Sequence, residues 1–396
     1  MASFAETITV EDLERDPYPI YERLREESPV AFVPAINSWL ATRWEDVQIV
    51  SNKPEIFSAE DDNAPVVRHF GSPAIIHADG AVHKELRKGL AAHYMPAKVA
   101  AYIEELARPI AQAHIVRLHN KGQAELMSEY FEPVSVLCLA KTFGLDSLGS
   151  DVLMDWFHGL AMGAINFAQD PERTRLCDET KAQIEAALDP ILTRLEKESD
   201  GSPLSHLLHH SMPEGQVRSR EFILPSVYVT LLGGMQEPGH GGANTLFGLL
   251  QNPDQLATLL DDRGTWIPKA VQEGVRWIAP IGTQGRSPKL DFEIAGITIP
   301  KGESISAVLA SANRDGAVFD QADSFDIARK GATIASFGFG PHFCAGKWFA
   351  TAQMEIMLDV LFEMLTNIQL VPGSPPEFFG WEFRAPTAFN VTFEAS

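Results

Sequence analysis

The stretch Phe337-Gly338-Phe339-Gly340-Pro341-His342-Phe343-Cys344-Ala345-Gly346 decides how this chain is read. Glycines, a proline and phenylalanines crowd a single cysteine, and the long apolar pattern GKWFATAQMEIMLDVLFEML predicts a helix directly after it. Glycine permits turns and close backbone approaches that a Cβ would block. A cysteine at a helix N-terminus has its thiolate stabilised by free N–H groups and the helix dipole. A metal-ligating sulfur needs this setting: a deprotonated thiol, N–H donors and a tight loop. The competing reading is a buried structural cysteine in a glycine-rich turn, the ordinary fate of a lone cysteine. Zinc and iron–sulfur clusters want several cysteines at short spacing, and Cys138 and Cys177 are far off in the chain.

The chain of 396 residues is 45% apolar and 21% charged, a globular composition. It is long enough to bury a large core and enclose a ligand. Its 32 Lys and Arg against 53 Asp and Glu give a net charge of −21. That balance speaks against nucleic acid, which needs cations for phosphate, and against an anionic membrane surface. It leaves room for a local basic patch that meets an acidic protein. Three scattered cysteines form no disulfide framework and point to a reducing compartment. The N-terminus shows no apolar signal core, and no uncharged apolar run is long enough to span a bilayer. The expectation is a cytoplasmic protein with no membrane or nucleic-acid partner.

Working outward, the periodicity predicts a helix after Pro19 and a hairpin over VAFVPAINSWLAT. Residues 60–78 read as a long loop. Residues 79–207 are mostly helical by pattern, as are 219–250, where GGMQEPGHGG reads as a break. A helix at 266–279 precedes a hairpin turning at Ala295-Gly296, and the tail from Phe378 is strand and turn. No repeat, low-complexity tract or linker is visible. Pattern alone gives a mainly α chain with a small β region.

The spacing Phe-x-x-Gly-x-x-x-Cys-x-Gly, met by Phe337, Gly340, Cys344 and Gly346, resembles that of the haem-thiolate monooxygenases, the cytochrome P450 family. Glu273 and Arg276 in QEGVRW match that family's Glu-x-x-Arg motif. SANRD (Ser311–Asp315), DSFDIAR (Asp323–Arg329) and DPYPIYERLREESPV (Asp16–Val30) extend the similarity along the chain. The resemblance implies a cytochrome P450 fold, mainly α with small β-sheets, in one catalytic domain over residues 1–396. It implies haem b, with Cys344 as the axial thiolate on the iron. Glu273 and Arg276, at i and i+3, become a structural ion pair beneath the haem. His83 and Arg87 in HKELR, with Arg286 and His342, become the partners of the haem propionates. Out of that context each would be read as an ordinary surface residue.

One segment departs from the family. Its helix over the distal haem face usually carries an acid followed by threonine, which relay protons to dioxygen. Here Gln236 stands at the acid and Glu237 at the alcohol. Two readings stay open: Glu237 delivers protons itself, or it caps a polar network and water delivers them. Pro238 removes one N–H and is expected to kink the helix. His240 reads as a hydrogen-bonded helix residue.

The string GGMQEPGHG, with FGSPAII (Phe70–Ile76) and GWEFRAPT (Gly380–Thr387), is similar to the bacterial guaiacol and alkylguaiacol O-demethylases of lignin-aromatic catabolism. This resemblance implies O-demethylation of a methoxyphenol to a catechol and formaldehyde, using dioxygen. Electrons would come from NAD(P)H through a separate reductase carrying FAD and [2Fe-2S], since the chain shows no flavin, nicotinamide or iron–sulfur motif of its own. The reductase dock would be a basic cluster including Lys347. Substrate contacts would be Phe70, Ile76, Val229, Gly233, Ile281 and Phe383. Singly, such residues are ordinary core. Ala164 stands where a guaiacol enzyme has a further phenylalanine, leaving room for a ring alkyl or second methoxy group. A pocket without Arg or Lys would disfavour benzoates. The alternatives are a hydroxylase of another small apolar molecule such as a terpenoid, a peroxide-driven peroxygenase, and a haem-binding sensor. Against a fatty-acid peroxygenase, Glu237 has the wrong sign to hold a carboxylate.

Overall fold

The computed structural model describes residues 3–331 and 333–395. Its axis is the helix Arg220–Gln251, started by the Ser219 side chain, which accepts from the Phe222 N–H. Ile223, Val227, Leu231, Met235, Leu246 and Leu249 are buried along it. A helix apolar on nearly every side is one surrounded by protein. Helices Glu132–Phe143, Ser150–Ala164, Arg263–Trp277 and Lys347–Met364 pack around it. Trp156, Tyr130, Phe131 and Phe157 fill the space between, and the Tyr130 hydroxyl donates to the Met357 carbonyl at 2.7 Å.

The expected break at GGMQEPGHGG is not there. The helix runs unbroken through both Pro225 and Pro238. The glycines serve contact rather than flexibility. A Cβ on Gly239 would sit 2.9 Å from the Phe131 carbonyl oxygen, and one on Gly242 would sit 3.0 Å from the Phe131 ring. Close approach of two helices buries enough surface to outweigh the roughly 1 kcal/mol helix penalty of a glycine. Pro238 still leaves the Gly234 carbonyl without its helical donor.

The loop expected at 60–78 also contains a helix, Pro65–Phe70, with proline at its first turn. The predicted hairpins are present. Val30–Val33 pairs antiparallel with Ser38–Ala41, Val30 opposite Ala41. Phe292–Ile294 pairs with Ile297–Ile299 around Ala295 and Gly296, which take φ of 52° and 77°. Positive φ at both turn residues suits a tight hairpin. Strand Ser38–Ala41 then pairs in parallel with Ile305–Val308, Trp39 opposite Ile305, which ties the N-terminal hairpin to the C-terminal half. Strand Thr283–Pro288 lies antiparallel beside Ile305–Val308, with Thr283 opposite Val308. A three-stranded sheet joins Gln123–Glu125, Asn390–Ala395 and Leu365–Leu370. No helix among the described residues is long and apolar enough to cross a membrane.

Candidate active site

The cysteine loop is fixed at both ends by its own backbone. Cys344 N–H donates to the Phe337 carbonyl at 2.8 Å, and Phe343 N–H donates to Gly340 at 3.1 Å. Gly340 has φ of 66°, and a Cβ there would lie 2.5 Å from the Ser51 carbonyl oxygen. Only glycine meets both demands. Cys344 is deep in the protein, yet its side chain has open surface, because it faces an interior cavity of about 290 Å³. Burial pushes its thiol above the ordinary value, against the Gly346 and Lys347 N–H donors and nearby Arg87. The helix-terminus donors expected from sequence are therefore present, but burial outweighs them. A bound metal cation reverses that balance.

The opposite wall is the central helix. Gly233, Gly234 and Glu237 line the same cavity as Cys344. Of the two residues at the acid and alcohol positions, only Glu237 faces inward. Gln236 is buried outside both cavities, its Oε1 without a partner. Burial holds the Glu237 carboxyl well above the usual range, which favours its protonated form. His240 points elsewhere. Its Nε2 lies 3.7 Å from Glu132 Oε1 and its Nδ1 has no partner, so in place of the expected hydrogen bond there is only a looser polar contact.

A second, adjoining cavity of about 450 Å³ shares Glu237, Val229 and Gly233 with the first. All seven expected contact residues line it: Phe70, Ile76, Ala164, Val229, Gly233, Ile281 and Phe383. Ile281 and Phe383 stand opposite each other in a β-bridge, which is how the tail reaches the cavity. The expectation of walls without arginine does not hold. Arg68 and Arg286 also line the space. Arg68 is committed to the Asn63 and Asn166 carbonyls, and Arg286 donates to the Gly285 carbonyl at 2.6 Å.

Four further residues gather at the cavities' edge. The His83 and His342 rings lie 4.0 Å apart. Burial, then Arg286 and His83, push His342 down to about 3, and burial lowers Arg286 to about 10. Arg87 lines the Cys344 cavity. His83 Nε2, Arg286 Nη2 and His342 Nδ1 are buried without partners. Polar groups left unpaired in the interior are costly unless a partner meets them, and Arg286 remains a cation that calls for an anion. A flat apolar group with two carboxylate arms and a thiolate-binding iron fits this arrangement of donors, cavity and sulfur.

Glu273 and Arg276 lie off the cavity. Arg276 Nε and Nη2 each donate to a Glu273 oxygen at 2.7 Å. Arg276 also donates to the carbonyls of Asn313, Ala322 and Ser324, and Glu273 accepts from Asp326 N–H and Arg329. The pair thereby pins the segment leading into the cysteine loop. Lys347 lies over Phe337, Phe343 and Trp348, with its Nζ 4.9 Å from the Trp348 ring.

Sequence reasoning missed several cavity residues. His77 lines the larger cavity with its Nδ1 unpartnered, and burial lowers it to about 4. Gln284 lines both cavities with Oε1 unpartnered. The two-residue alternation of a strand places Gln284 on the face of Arg286, a signal that was available. Asp79 accepts from Ser58 at 2.7 Å and pairs with Lys289 at 3.1 Å, close to His342. Glu382 lines the larger cavity from a run of aromatic residues.

The sequence profile described as Cytochrome P450 matches residues 266–377. Pulcherriminic acid synthase of Bacillus subtilis (strain 168) is 25% identical, over 98% of this chain and 98% of its own length. Linalool 8-monooxygenase of Pseudomonas putida is 29% identical, over 90% of this chain and 91% of its own. The solved structure of cytochrome P450 CYP109Q5 from Chondromyces apiculatus matches with a TM-score of 0.87 at 23% identity, covering 99% of this chain and 100% of that one. Residues 266–377 thus match the cytochrome P450 model, and the chain as a whole has the cytochrome P450 fold.

Proposed function

We propose that this chain is a haem-thiolate monooxygenase, dependent on dioxygen and a redox partner, that O-demethylates methoxyphenols of the guaiacol or 4-alkylguaiacol type, as one catalytic domain over residues 1–396. The supporting observation is the 450 Å³ cavity, walled by Phe70, Val229, Ile281 and Phe383 and adjoining the space before Cys344. That volume suits a single substituted ring. The balanced reaction consumes the aryl methyl ether, dioxygen and NAD(P)H with a proton. It yields the catechol, formaldehyde, water and NAD(P)+. A separate reductase with FAD and [2Fe-2S] supplies the electrons, and the Lys347–Trp348 surface beside the cysteine loop is its dock.

Cys344 would hold the haem by its thiolate, while His83, Arg87, Arg286 and His342 would hold the propionates. The haem, when bound, supplies the iron chemistry that oxidises the methoxy carbon. The chain's own residues do the positioning. Aromatic and branched walls fix the ring plane, so that only one substituent faces the Cys344 side. Glu237, inward-facing and with its protonated form favoured by burial, delivers a proton where the family's acid and alcohol would. Ala164 leaves the far wall open to a ring alkyl or second methoxy group.

Terpenoid hydroxylation is the second reading. It is favoured by the likeness to linalool 8-monooxygenase and by the same apolar walls. The two separate on titration of the ferric holoprotein, followed by the Soret shift. We expect saturable shifts with guaiacol and 4-alkylguaiacols and none with a monoterpene alcohol. A shift with the terpenoid alone overturns the O-demethylase reading.

A further inference from the structure

We propose that Glu382 sets substrate specificity by receiving a neutral hydroxyl at the end of the substrate remote from the methoxy group. The inference rests on the O-demethylase reading of the cavity and names which methoxyphenols it prefers. Its basis is position. The turn bearing Glu382 is clamped on both sides: Gly282 N–H donates to the Glu382 carbonyl at 2.9 Å, and Arg384 N–H donates to Pro280 at 3.0 Å. Between those bonds the Ile281–Phe383 bridge fixes the backbone against the cavity wall. The Glu382 carboxyl therefore belongs to a rigid part of that wall.

The carboxyl lines the larger cavity and not the one holding Cys344, whereas Glu237 and Gly233 line both. Glu382 is thus set back from the sulfur behind Thr283, which lines both cavities. Both of its oxygens accept from the one Thr283 hydroxyl, at 2.7 and 2.9 Å. A carboxylate offers about four acceptor positions, so some face the cavity unused. Among the described residues no cation pairs with it.

Burial raises Glu382 from its ordinary 4.5 to about 7. Near neutral pH both forms are populated. The ionised form accepts from a hydroxyl and the protonated form donates to one, so a hydroxyl is bonded in either state. A ligand carboxylate meets repulsion from the ionised form and has no free cation beside Glu382. The preferred class is a 2-methoxyphenol whose ring substituent opposite the phenol ends in an alcohol. An alkyl group wastes the acceptor, and a carboxylate is rejected.

The test uses ferric holoprotein and the Soret shift with three 2-methoxyphenols carrying ethyl, hydroxymethyl or carboxyl at position 4. Glu382→Leu is expected to weaken the hydroxymethyl ligand about tenfold relative to the ethyl ligand. Glu382→Gln, which keeps the shape and a hydrogen bond, is expected to retain the hydroxymethyl ligand and to tighten the carboxyl ligand about tenfold at pH 8. A structural role for Glu382 would move all three affinities together, and that result overturns the inference while leaving the O-demethylase reading intact. Wild-type protein that shifts with none of the three overturns the reading itself, and the inference with it.

Discussion

Glu237 and Gly233 are one device at the scale of single residues. The Glu237 carboxyl folds back over Gly233 so closely that a Cβ there would sit 2.8 Å from Oε2. Gly233 therefore gives the acid its place, and the acid's burial favours the protonated form. Glu237→Gln keeps the shape and removes the proton. A positioned general acid is worth about 10²–10⁴-fold. We expect product formation to fall by at least a hundredfold, with the Soret titration of guaiacol unchanged. Turnover within twofold of wild type would mean that water alone carries the proton. Gly233→Ala should act in the same direction through displacement of the carboxylate, with a smaller loss. The sequence pointed to Glu237 by alignment with the family helix. It did not separate Glu237 from Gln236 by facing, because adjacent helix positions differ by about 100° and only the neighbours decide which one meets the cavity.

The elements succeed or fail by their contacts, and here the sequence was legible in part. The i,i+3 spacing of Glu273 and Arg276 announced an ion pair, but nothing local to it showed that Arg276 also holds the carbonyls of Asn313, Ala322 and Ser324. Those bonds join residues 37 to 48 positions apart, beyond the reach of any periodicity. Arg276→Ala leaves Glu273 buried with Arg329 alone as cation. Breaking a buried pair costs about 3–5 kcal/mol, and we expect that loss in denaturant unfolding. A cost below about 1 kcal/mol would show that Arg329 takes over. In the central helix the glycines misled for a related reason. Gly and Pro read as breakers when considered alone, yet Gly239 is needed where Phe131 passes. Gly239→Ala should destabilise by about 1–3 kcal/mol through overpacking against that carbonyl. An alanine that stabilises the protein, as it does in an exposed helix, would contradict the contact.

Over the whole molecule, stability should carry a pH signature from a group outside both cavities. Asp46 lies in the first turn of the helix Trp44–Asn52, which is tied to the C-terminal half by Trp44 N–H donating to Asp315 at 2.8 Å. Asp46 is 4% exposed and its Oδ2 has no partner. Burial, then Glu45, with a smaller push from Asp315, raises it from 3.8 to about 6, against Arg43. The folded protein thus holds this proton more tightly than the unfolded chain. Its contribution is complete below pH 3.8 and is lost as pH rises through about 6. The difference of about two pKa units corresponds to about 3 kcal/mol. Asp46→Asn should therefore match wild type in acid and exceed it by up to about 3 kcal/mol at pH 7.5. The net charge of −21 adds a general repulsion that also eases in acid, but both proteins share it except for the one charge at Asp46. Denaturant midpoints of the two proteins, taken from pH 4 to pH 7.5, isolate the group. A constant offset across that range would show that Asp46 is ionised throughout and that Arg43 compensates for its burial.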